Sequence, residues 1–172
     1  MARNFTLNFP ANAFGPCTTT TGPTYVNHGI GFGAAGRVGL AFSDSVDETA
    51  ATGMFVFPSE YTGSGTLKAA IAYYTAETSG TLAMQAALEA LGDGDAGTNM
   101  TSAHTIDLGG TPETVTVPGT AGMPDILTYT LTEKDSVAAG DIVRLIIMRD
   151  VDPSDSVGGD IYVAGVSLYE ET

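Results

Sequence analysis

Short apolar runs, each bounded by a cluster of turn residues, recur along most of the chain, and that rhythm restricts the fold more than any other feature. The runs are RVGLAF (37–42), TGMFVFP (52–58), TLKAAIAYYTA (66–76), TLAMQAALEAL (81–91), ETVTV (113–117), DILTYTLT (125–132), DIVRLIIMR (141–149) and DIYVAGVSLY (160–169). Between them lie SDSVDETAA, SEYTGSG, GDGDAGTN, VPGTAGMP and VDPSDSVGG, rich in residues that turn a chain or accept positive φ. β-Branched and aromatic residues fill the runs, and the spacing predicts an all-β fold: a two-sheet antiparallel β-sandwich, jelly-roll-like, with about eight strands. At 172 residues the chain suits one domain, able to bury roughly 70% of its unfolded surface without staples.

LAMQAALEAL (82–91) is the ambiguous run. It consists of good helix formers, with Met84, Ala87, Leu88 and Leu91 at helical spacing. Yet Leu82, Met84, Ala86, Leu88 and Ala90 alternate against Gln85 and Glu89, and ETSGT before it suits a hairpin turn, so a strand is expected. In ILTYTLT, Leu127, Tyr129 and Leu131 face one way and threonines the other, the pattern of one buried and one wet face. DIVRLIIMR differs: Val143, Leu145 and Ile147 line the core, while Ile142, Arg144, Ile146 and Met148 make an opposite face too apolar for water. DIYVAGVSLY shows a similar excess, with Ile161 and Val163 opposing Tyr162, Val166 and Leu168. With no spare helix to cover such faces, a second subunit is expected to do so, and Ile142, Arg144, Ile146 and Met148 are the candidate oligomer-interface residues.

The first 36 residues stand apart. TTTTGP and GIGFGAAG carry almost no charge and suit an extended N-terminal arm or first strand region (1–36), with the sandwich domain over 37–172. Twenty acidic against six basic side chains give a net charge of -14, which argues against nucleic acid and anionic membranes as partners. Cys17 has no partner for an intrachain disulfide and no His, Lys or Arg beside it to lower its pKa, so it is read as a bystander. The start offers no apolar run of signal length and no eighteen apolar residues follow one another, so a soluble, unsecreted product is expected and the sequons at Asn4 and Asn99 are read as unmodified.

Motifs that carry chemistry fail on their context. GFGAAG, with Gly31, Gly33 and Gly36, matches a dinucleotide fingerprint but precedes a strand instead of a helix. GDGDAGTN imitates a calcium loop with Asp93, Asp95 and Asn99, yet His104 stands where a bidentate Glu is needed. No G-x-S-x-G elbow occurs, and His28 and His104 are the only histidines, neither with a ligand partner at zinc spacing. A carboxylate pair for glycoside hydrolysis cannot be named among acids that mostly sit in turns. Without Trp, an aromatic platform for sugars falls to tyrosines such as Tyr61, Tyr73 and Tyr74, a type more often used for half-buried packing. In RDVDPSDS, Asp152-Pro153-Ser154-Asp155 fits a type I turn, Asp150 ends a strand, and three acids fall short of a cation shell. No catalytic residue, cofactor or metal site is expected.

The stretch from Val117 to Glu171, with DSVAAGDIVRLIIMRD and GDIYVAGVSL, and more loosely LAFSDSVDETAATGMFVFP at 40–58, resembles small β-sandwich proteins from the structural modules of tailed bacteriophages. The resemblance implies a noncatalytic virion protein. It would be made in the host cytoplasm and bind the major capsid protein on the outer surface of the head as a decoration (cement) protein. It would also associate with itself, as a homotrimer. The alternative it implies is a receptor- or carbohydrate-binding module of a tail or head fibre. A hydrolase on the same scaffold ranks third, for want of a nameable acid, base and nucleophile.

Overall fold

The computed structural model describes residues 2–16, 22–28, 37–92, 108, 110–151 and 153–172. They form twelve strands: β1 (Arg3–Pro10), β2 (Phe14–Pro16), β3 (Thr24–His28), β4 (Arg37–Phe42), β5 (Glu48–Thr52), β6 (Phe55–Val56), β7 (Thr66–Thr75), β8 (Thr81–Leu91), β9 (Glu113–Thr116), β10 (Asp125–Thr130), β11 (Ile142–Arg149) and β12 (Ile161–Glu171). A 3-10 turn at Ala11–Ala13 links β1 to β2. Sheet A runs β10-β7-β12-β4-β3 with β1 also paired to β12, and sheet B runs β2-β5-β11-β8-β9 with β6 also paired to β11. Every pairing is antiparallel, so the two-sheet antiparallel sandwich expected from the rhythm of the sequence is the fold.

The inner faces meet in one core. Leu40, Phe42, Ile71, Tyr73, Leu127, Ile161 and Val163 of sheet A pack towards Leu82, Met84, Leu88, Val143, Leu145 and Ile147 of sheet B, all buried. Each such side chain contributes roughly 1.5–3 kcal/mol by leaving water. The run 82–91 is a strand, with its even-numbered residues in the core as the alternation required. On its other face Gln85 and Glu89 are buried as well. Gln85 Nε2 donates to Asp150 Oδ2 at 2.6 Å, and Glu89 forms an ion pair with Arg144, the residue opposite it on β11. Buried polar groups need such partners, and periodicity alone does not show them.

The described residues of 1–36 form strands in both sheets. β1 pairs along β12, β2 along β5 and β3 along β4, while Ala11 and Phe14 enter the core and Phe5, Leu7 and Phe9 pack against it. Phe5 meets Phe57 and Tyr61 edge-on, with centroids at 5.5 and 6.2 Å. Glu170, fully buried at the end of β12, anchors this corner by accepting hydrogen bonds from Asn4 Nδ2, from the Thr62 amide and hydroxyl, and from the Gly65 amide. Burial alone would raise the pKa of that carboxyl, but the four donors outweigh it and hold it down at about 2. β5 takes up the end of the stretch SDSVDETAA (43–51), which the sequence presented as a connection, and runs one residue beyond it. Its small Ala50 and Ala51 fit between β2 and β11.

A bulge resolves the apparent two-sidedness of β12. Register shifts between Val163 and Gly165, which reverses the phase of the strand. Ile161, Val163, Val166 and Leu168 therefore all face the core, and the excess of apolar residues on opposite faces disappears.

Candidate functional site

The bulge in β12 also shapes the outer face of sheet A. There the register places side chains in rows across β10, β7, β12 and β1: Thr128, Ala70, Ser167 and Asn8 in one row, Ile126, Ala72, Gly165 and Pro10 in the next. Alanines and a glycine in the middle strands leave a trough between taller flanks, with a volume of about 360 Å³. Gly165 is required there, because a Cβ on it would lie 2.9 Å from the Phe9 carbonyl oxygen of β1.

At one end of the trough stand Tyr74 of β7 and Tyr162 of β12, opposite each other in register and half-buried. Their rings stack with centroids 5.2 Å apart and planes at 24°. Gly39 of β4 leaves the room they use, since a Cβ there would come within 2.7 Å of Tyr74 Oη. Further along, the Ser167 hydroxyl donates to Asn8 Oδ1 at 2.7 Å, which fixes the Asn8 amide at the rim. Beyond that row, the Arg3 guanidinium lies over the Tyr169 ring at 3.8 Å, and Lys68 pairs with Glu171, an interaction that holds the lysine pKa above its ordinary value. Two of the chain's six basic residues thus stand at one end of this face of an otherwise acidic protein.

Such an arrangement binds more readily than it reacts. It is concave, mostly apolar, and bordered by a few fixed hydrogen-bonding groups, the usual make-up of a small-ligand site. Aromatic rings suit the C–H faces of sugar rings, while Asn8 and Ser167 at the rim suit hydroxyls. A second depression, of about 550 Å³, lies between Leu7 of β1 and residues 56–60, with Ala139 and Gly140 beyond. Its aromatic residue, Phe57, is buried, so it presents no ring face.

Of the three tyrosines considered from sequence, only Tyr74 belongs to the platform. Tyr61 packs with Phe5 and Phe57, and Tyr73 lies in the core, its phenol pKa raised by burial and by Asp125, to which its hydroxyl donates at 3.3 Å. Tyr162 was missed because its pairing with Tyr74 depends on which strands are neighbours. The four candidate interface residues do share the outer face of β11, with different fates. Ile142 is 40% exposed opposite Val56, itself 67% exposed, whereas Arg144 and Met148 are partly covered and Ile146 is wholly buried within the single chain.

RDVDPSDS proves to be a latch. Arg149 is completely buried and forks onto Asp155, with Nε to Oδ2 at 2.9 Å and Nη2 to Oδ1 at 3.0 Å. It also donates to the carbonyls of Phe42, Val157 and Gly159. Asp150 receives Gln85, and among the described residues no group of three or more His, Cys, Asp or Glu is placed to hold a metal ion. Asp152, Cys17, GFGAAG (31–36), residues 93–99 of GDGDAGTN, Asn99 and His104 lie outside the described residues.

No known protein family matches the chain, and no curated protein does. Solved structures do match it in fold. A family 35 carbohydrate binding module from Clostridium thermocellum aligns over 97% of this chain and 99% of its own, with a TM-score of 0.52 and 9% identity. A family 35 module from an environmental isolate aligns over 94% and 91%, at 0.51 and 11%. The isomalto-dextranase of Arthrobacter globiformis T6, complexed with panose, matches over 96% of this chain at 0.52 and 20%, and there the chain spans only 23% of the enzyme's length. At these identities the likeness establishes a shared β-sandwich fold.

Proposed function

We propose that this protein is a noncatalytic carbohydrate-binding module that holds an oligosaccharide against the outer face of sheet A. The observation that carries the reading is the stacked, partly buried Tyr74–Tyr162 pair, one row beyond the end of a trough floored by Ala70 and Ala72 and rimmed by Asn8 and Ser167. The fold matches support it, because modules of this size named for carbohydrate binding align over nearly their whole length. Binding without turnover fits a face on which the Ser167 hydroxyl donates to an amide oxygen instead of a base. A glycan panel, followed by calorimetric titration of each hit with wild type and Tyr162→Ala, tests the proposal. Saturable binding that weakens about tenfold in the variant, roughly 1.4 kcal/mol, supports it. Binding that is unaffected places the ligand elsewhere, and blanks across neutral and acidic glycans sink the reading.

The capsid-decoration reading draws no support from the fold matches named above, and the carbohydrate-binding alternative takes its place as the main proposal. Exposed Val56 and Ile142, side by side on sheet B, are what favours a contact with another protein. Cosedimentation with phage heads tests that second reading, and a chain that stays in the supernatant refutes it.

A further inference from the structure

We infer that Asn8 is a specificity-determining residue of the trough, and that the ligand is an extended sugar chain long enough to touch both the tyrosine platform and the Asn8 amide. This rests on the glycan reading of the face and sharpens it into a statement about chain length and direction.

The geometry is fixed by the pairing. Asn8 faces Ser167, and Ser167 faces Ala70, which lies four residues along β7 from Tyr74. Four residues at ~3.4 Å each along the strand and two strand spacings of ~4.8 Å across it put the Asn8 and Tyr74 backbones roughly 17 Å apart. The Tyr74 ring, however, crosses β12 and brings its Oη beside Gly39 of β4, about three residues along from Asn8, so the gap from platform to Asn8 is ~10 Å. A single sugar ring stacked on the tyrosines does not reach across that gap. A chain laid diagonally over Ala72 and Gly165 reaches it, and the small side chains in between leave the floor clear.

Asn8 is suited to reading, not merely to filling space. The Ser167 hydroxyl occupies its carbonyl oxygen, which settles the orientation of the amide and leaves the two N–H donors of Nδ2 for a ligand acceptor. The platform end stacks and the amide end donates, so the two ends of a bound chain meet different chemistry. A chain with distinct reducing and non-reducing ends is therefore held in one direction. The orientation comes from a partner on the neighbouring strand, so the amide is preorganised before the ligand arrives.

Calorimetric titration with cello-, laminari-, xylo- and isomalto-oligosaccharides of graded length tests the inference on wild type, Asn8→Asp and Ser167→Ala. Expected is an affinity that climbs with length until the extended chain reaches from the tyrosines across the ~10 Å to Asn8, and then levels off. Asn8→Asp, which turns donors into an acceptor, should weaken long chains about threefold to tenfold while leaving short ones unchanged, and Ser167→Ala should show the same length dependence with a smaller loss. A purely structural role for Asn8 would instead lower affinity equally at every length, and that result overturns the inference, as does wild-type affinity independent of length. Either outcome leaves the glycan site standing. If no oligosaccharide of any length binds, the functional proposal itself fails.

Discussion

Replacing Asp155 by Ala should be among the most damaging single changes to this fold. Arg149 is completely buried, and Asp155 supplies the negative charge beside it through two hydrogen bonds. The same carboxylate accepts from the Ala83 and Val157 amides, so its loss strands a cation and two backbone donors together. Breaking a buried pair by removing one partner costs about 3–5 kcal/mol, because the remaining charge is left without compensation. For a domain of this length each kcal/mol lowers Tm by roughly 2–4 °C, so a fall of roughly 6–20 °C follows. Urea titration followed by circular dichroism should show the midpoint moving with the slope unchanged. Arg149→Lys should also destabilise, because an ammonium has three donors where the guanidinium uses all three of its nitrogens on five acceptor oxygens, both of Asp155 and the carbonyls of Phe42, Val157 and Gly159. In a double-mutant cycle with Arg149→Met, the coupling to Asp155→Ala should reach about 2 kcal/mol. A loss under about 1 kcal/mol for Asp155→Ala, or strict additivity in the cycle, would refute the view that this latch holds the β11–β12 connection.

Three further outcomes follow from packing and charge. Gly39→Ala should weaken glycan binding while the protein stays folded, since its Cβ would press on Tyr74 Oη at 2.7 Å, and Tyr74→Phe added to it should restore part of the affinity. No rescue in titrations of the double variant would argue against that contact. For Glu170, the folded pKa of about 2 lies below the ordinary 4.5, so its contribution to stability is complete above pH 4.5 and fades as pH falls towards 2. Acid denaturation of wild type and Glu170→Gln should therefore converge across that window, and parallel curves would contradict the assignment. Ile146→Asp should cost roughly 4 kcal/mol or more in chemical denaturation, whereas Ile142→Asp should stay within about 1 kcal/mol. If Ile142→Asp also shifts the mass seen by light scattering, the outer face of β11 joins subunits; an unchanged mass removes Ile142 from any interface.

Much of the architecture was legible because alternation reports burial directly. Leu127, Tyr129 and Leu131, or Val143, Leu145 and Ile147, declare their strands and their inward faces without help from context. What escaped were features set by neighbours. A bulge shifts the phase of β12 without any mark in composition, Ala50 and Ala51 have weak strand preference, and β1 stayed undecided between arm and first strand because its partner is the last strand of the chain. The candidate site was less legible for the same reason. Tyr74 could be named as a possible platform residue, but Tyr162 and Asn8 come from strands far away in sequence, and only the sheet order brings the three onto one face.

The most direct test of the account is a calorimetric titration of wild type and of Tyr74→Ala/Tyr162→Ala with the best oligosaccharide from the panel, both shown to be folded by circular dichroism. Saturable binding by wild type that drops at least about tenfold in the double variant is the predicted result. Equal binding by the two, or no binding by wild type to any glycan, would contradict the assignment of the outer face of sheet A as a carbohydrate site.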